Sequence, residues 1–143
     1  MPSPQLSLNT TTRSHYGEND ELEVAVAVSG SVIFGSVVAY DDHRKLSAIC
    51  KVLAGFPQHA GDSTSFDYGI FDRLRVNLTT DAKGNVGVTA VLEKWGGPAA
   101  KYSESMSVQF WCGPSGLDEF CSAIAALEPD MPAEAHLLGR ADL

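Results

Sequence analysis

Leu22-Glu23-Val24-Ala25-Val26-Ala27-Val28-Ser29 sets leucine and valine on one side of an extended chain and smaller or polar residues on the other. That period of two is the mark of a strand with one face buried. Gly30-Ser31 supplies a tight turn, and the following run from Val32 to Tyr40 is rich in β-branched and aromatic residues. The two segments read as an antiparallel hairpin.

Downstream, Asp41 and Asp42 stand as candidate helix caps, and Leu46, Ile49, Cys50 and Leu53 recur at the spacing of one helix face before Gly55 and Pro57 end it. Three further strands are expected, a short one around Phe66 to Phe71, then Arg73 to Thr80 and Val86 to Lys94. The connection from Asp81 to Asn85 carries the acidic start and late glycine of a hairpin turn. Ser103 to Cys112 alternates through Met106, Val108 and Phe110, and a second helix from Leu117 to Leu127, capped by Ser115, carries Leu117, Phe120, Cys121, Ile124 and Leu127 on one face.

The expected fold is α+β: an antiparallel sheet of about five to six strands with both amphipathic helices on one face. Residues 1–20, rich in Ser, Thr and Asn, read as a flexible leader. Residues 21–128 make a single domain, and residues 129–143 a tail that is mostly coil, in which 133–138 has the composition for a helical turn. An internal echo runs at an offset of 71 residues, where Leu46, Ile49, Cys50 and Leu53 match Leu117, Phe120, Cys121 and Ile124. Pseudo-duplicated strand-helix halves would produce it, and so would the apolar spacing that any such unit needs.

Composition narrows function by exclusion. Of 143 residues, 44% are hydrophobic and 20% charged, ordinary proportions for a folded domain. Acidic residues outnumber Lys and Arg 18 to 10, a net charge of −8 that disfavours nucleic acid and favours a basic protein partner. No stretch reaches the roughly 18 apolar residues of a membrane helix, and the start of the chain lacks an export signal, so a cytoplasmic protein without a membrane partner is expected. Cys50, Cys112 and Cys121 are odd in number and form no C-x-x-C or Cys/His cluster, which points to free thiols, no metal and no cofactor.

No catalytic motif stands out. There is no H-E-x-x-H, no G-x-S-x-G and no phosphate-binding glycine spacing. The local cluster that a small-molecule or enzymatic reading would use is His59, Asp62, Asp67 and Tyr68. Trp95 and Tyr102, which flank a Gly-Gly-Pro-Ala-Ala loop, are the candidate binding residues, since Trp and Tyr bury large areas at low entropic cost in interfaces.

The hairpin, Leu53-Ala54-Gly55-Phe56-Pro57, Leu74-Arg75-Val76-Asn77-Leu78, Lys83-Gly84-Asn85-Val86-Gly87-Val88 and Leu117-Asp118-Glu119-Phe120 together resemble the small acidic bacterial proteins grouped with the WapI-type immunity proteins. The resemblance spans about residues 22–127 and implies a protein that binds and neutralises a toxin, without catalytic residues. Three functional classes follow: a non-catalytic interaction module, either an immunity protein or another acidic adaptor, a small-molecule binder or enzyme using a groove between sheet and helices, and a structural homodimer joined through an edge strand or a sheet face.

Overall fold

The computed structural model describes residues 3–10, 21–127 and 133–140. These carry ten elements in order: β1 (Gln5–Thr10), β2 (Glu21–Ser29), β3 (Phe34–Asp42), α1 (Arg44–Ala54), β4 (Ser63–Tyr68), β5 (Arg73–Thr80), β6 (Val86–Trp95), β7 (Tyr102–Cys112), α2 (Pro114–Ile124) and β8 (Ala133–Leu138). The α+β class is as expected, but one sheet of five to six strands is replaced by two antiparallel sheets of four, ordered β3-β2-β1-β8 and β4-β5-β6-β7. Alternation identifies a buried face on each strand without saying what covers it, and here the buried faces of both sheets and both helices join in one core.

Two segments depart from expectation. Gln5–Thr10, read as part of the leader, is an interior strand paired with both β2 and β8. Leu6 and Leu8 are fully buried. Ala133–Leu138, read as coil or a helical turn, is β8, in which Ala135 and Leu137 are buried. Alanine, glutamate and leucine favour helix locally, and the ladder to β1 overrides that preference.

Both helices bury the faces read from their spacing, Leu46, Ile49 and Leu53 on α1 and Leu117, Phe120 and Ile124 on α2. They do not lie side by side on one sheet. α1 packs on β4, α2 on β8, and the helices touch each other. Each thus covers a strand of a different sheet, with Phe66 of β4 and Phe120 of α2 in ring contact at 6.4 Å. Asp42 serves the start of α1, its Oδ1 accepting the Arg44 N–H at 2.9 Å. Asp41 accepts the Gly69 N–H at 2.9 Å and pairs with Lys45 of α1 at 3.6 Å. Ser115 is not a cap, because α2 begins one residue earlier at Pro114, whose missing N–H costs nothing at a first helical position.

The chain runs twice through the order strand-strand-strand-helix-strand. Interchanging the halves maps β3-β2-β1-β8 onto β7-β6-β5-β4, so the last strand of each half completes the sheet of the other. Two backbone bonds tie the sheets at corresponding corners. Ile70 N–H donates to Tyr40 O at 2.9 Å, and Arg140 N–H to Trp111 O at 2.7 Å. The first of these corners builds the site described next.

Candidate interaction site

Trp95 ends β6 and Tyr102 begins β7, paired across a bulge at Lys94/Trp95. The loop between them is closed by backbone bonds, Gly96 N–H to Lys101 O and Lys101 N–H to Gly97 O, the latter at 2.7 Å. Gly97 has φ 95°, a conformation that side chains oppose. Asp72 accepts the backbone N–H of Trp95 at 2.8 Å and so ties the end of β6 to the β4–β5 connection.

The two rings meet edge to face, with centroids 5.4 Å apart. Phe71 adds a third ring 5.8 Å from Trp95. The Arg73 guanidinium lies 4.0 Å from the Tyr102 ring centroid, within range of an attraction between cation and ring face. Arg73 Nε also donates to Glu93 Oε1 at 2.8 Å, and Arg75 Nε to the same oxygen at 2.6 Å. Burial alone would push the Glu93 carboxyl up, but the bonds from Arg73 and Arg75 outweigh it and hold the group below its ordinary range.

Because Ile70 N–H is bonded to Tyr40 O, the Phe71 ring is held beside the end strand β3. Val38, Tyr40, Phe71, Asp72, Lys94 and Trp95 line an open depression of about 340 Å³. Three of these walls are solvent-facing apolar side chains, Phe71 at 59% exposure, Val38 at 45% and Tyr40 at 43%. Lys94 is shared with a second depression of about 250 Å³ along β3, lined also by Gly35, Leu92, Glu104 and Met106. The hairpin tip beyond it exposes Val32, Ile33 and Phe34.

The structure therefore brings Trp95 and Tyr102 together and joins Phe71, Tyr40 and Val38 to them. Sequence reasoning missed these last three. Their signal was present in part, since Val38 and Tyr40 occupy the outward positions of an alternating run whose inward Ala39 is buried.

His59, Asp62, Asp67 and Tyr68 do not converge. His59 is exposed, and Asp62 accepts the backbone N–H groups of His59 at 2.8 Å and Gln58 at 2.9 Å. Those bonds hold the Asp62 carboxyl below its usual range and define a loop. Thr80 anchors that loop, its N–H donating to Asp62 O at 3.0 Å. Asp67 is ion-paired with Lys45 at 2.8 Å on the face of β4 opposite Tyr68. Tyr68 is fully buried and donates its hydroxyl to Leu22 O at 2.6 Å. Alternation along β4 separates these two neighbours, so each has a structural task.

All three cysteines are free, Cys112 buried and Cys50 and Cys121 half-buried. Among the described residues no helix is long and apolar enough to cross a membrane. No protein-family model, no curated protein and no solved structure matches the chain.

Proposed function

We propose that the protein is a non-catalytic interaction module that grips a basic protein partner through the depression formed by Phe71, Trp95, Tyr40 and Val38. The carrying observation is the aromatic cluster: rings held by backbone and ring contacts while Phe71 and Tyr40 stay open to solvent. Large, preorganised aromatic groups lose little entropy on burial, which is why they dominate interface energetics. The adjoining strand β3 ends its sheet, so a partner's extended segment has main-chain groups to pair with beside the apolar walls. The charge of −8 supports a basic partner and charge-steered encounter. In the immunity-type version of this reading, the partner is a toxin that the chain neutralises.

The test starts from a partner co-purified with the tagged chain from its source cells and measures affinity by calorimetry. Trp95→Ala and Tyr102→Ala are expected to weaken binding by about 2 kcal/mol or more, roughly thirtyfold in Kd, with the circular-dichroism spectrum unchanged. Raising salt from 0.05 to 0.3 M should slow association much more than it speeds dissociation, since exposed charges are screened over about 10 Å at 0.1 M. A partner indifferent to both substitutions and to salt would sink the proposal.

A second reading, a homodimer joined along β3, is favoured by the exposure of Phe34, Val38 and Tyr40 on that end strand. Light scattering separates the two: a dimer that Val38→Lys converts to monomer would support the second reading.

A further inference from the structure

We propose that Cys50 and Cys121 are a redox-modification site, a dithiol that a hydroperoxide converts to a disulfide joining α1 to α2. The two residues occupy corresponding positions 71 apart in the repeated element order, one on each helix. They also touch each other. Cys50 Sγ donates to Cys121 O at 3.3 Å, and Cys121 Sγ donates to Cys50 O at 3.4 Å. These reciprocal contacts place both side chains in the seam between α1 and α2. The link requires the two sulfurs to close from these carbonyl contacts to a bond of about 2 Å.

Access favours this pair over the third cysteine. A cavity of about 210 Å³ has Cys50 on its wall, beside His43, Ser47 and Ile124, whereas Cys112 is fully buried on β7. The chemistry balances in two steps. The Cys50 thiolate attacks one oxygen of the hydroperoxide, its O–O bond breaks, and sulfenic acid forms while the leaving alkoxide or hydroxide takes a proton to become alcohol or water. Cys121 sulfur then attacks Cys50 sulfur, the S–O bond breaks and water leaves. Two thiols have given up two electrons and two protons, and the peroxide has accepted them.

Burial, reinforced by the neighbouring Cys121 thiol, pushes the Cys50 thiol up to about 11. The thiolate is scarce at neutral pH, so the link should form slowly there and about tenfold faster per pH unit on the way to pH 10. Such a pair behaves as a staple set by sustained oxidant and released by a dithiol.

The full chain is reduced, freed of reductant, treated with hydrogen peroxide and quenched with N-ethylmaleimide in denaturant. The expected product is lighter by two hydrogens, carries a single maleimide on Cys112, and yields the Cys50 peptide linked to the Cys121 peptide until dithiothreitol separates them. Its thermal midpoint should rise by several degrees over the reduced protein, and Cys50→Ala and Cys121→Ala should abolish both the link and the rise. Cys112→Ala should keep both, which guards against a variant that fails for want of stability. Oxygen added separately to Cys50 and Cys121 without a link overturns the proposal. So does a link to Cys112 or to a second chain, and so do unlinked thiols after both peroxide and diamide.

Discussion

Leu8→Ala separates the strand β1 from a flexible leader by a wide margin. Leu8 is fully buried, opposite Val26 of β2 on one side and Ala135 of β8 on the other. Truncating a leucine in such a place loses its transfer energy and leaves a cavity between two ladders that cannot easily close, a cost of about 3–4 kcal/mol. With a slope near 2 kcal/mol per molar urea, the unfolding midpoint should drop by roughly 1.5–2 M. Ser3→Ala, at an exposed position just before the strand, is the control and should change stability by less than about 0.5 kcal/mol. Equal, negligible effects of Leu8→Ala and Ser3→Ala in urea titrations followed by circular dichroism would refute the placement of β1 inside the first sheet.

Phe120→Ala should cost about 3–5 kcal/mol and Leu53→Ala about 2–5 kcal/mol, because both are essentially unexposed; losses under ~0.5 kcal/mol at both would mean the wrong helix faces are buried. Burial pushes the Cys112 thiol up to about 11, the Cys50 thiol rises likewise, and burial with the Asp41 charge raises the Tyr68 hydroxyl further. A folded state that keeps protons the unfolded chain releases is stabilised fully below the unfolded thiol range, and that contribution is lost as pH climbs toward 11. The thermal midpoint should therefore fall between pH 9 and 11, and less steeply in Cys112→Ala. Glu93→Gln removes the charge shared by Arg73 and Arg75 and should lower stability at pH 7 by about 1–3 kcal/mol. Since the Glu93 carboxyl is held down in the folded state, its contribution is present above the carboxylate range and lost on acidification, so the variant should show a shallower decline below pH 5.

Much of this architecture is readable from residues because its long elements repeat their periods many times. β2 alternates over nine residues and β5 over eight, and each helix shows its apolar stripe at least three times. β1 and β8 have six residues each and bury few apolar side chains, Leu6 and Leu8 in one, Ala135 and Leu137 in the other. Their strand character comes from pairing with each other, a contact between opposite ends of the chain that no local window contains. The site divides in the same way. Trp95 and Tyr102 are close in sequence, whereas Phe71 reaches Trp95 through the pairing of β5 with β6, and Tyr40 joins them where the Ile70–Tyr40 bond ties the two sheets.

The echo at 71 residues has its physical meaning in that exchange of last strands. After three strands and a helix, each half still has an open edge along its first strand, β1 or β5, and the strand that closes it belongs to the other half. Neither half can satisfy its own sheet, so the buried positions at the exchange are constrained twice. Phe66 lies opposite Val76 as Leu137 lies opposite Leu6, one apolar pair in each sheet. The same interlock sets the helices against each other and brings Cys50 to Cys121. A substitution at either closing strand, such as Phe66→Ala or Leu137→Ala, therefore weakens both halves at once. Unfolding should stay a single transition, because a half released from its partner loses a strand as well as a packed face.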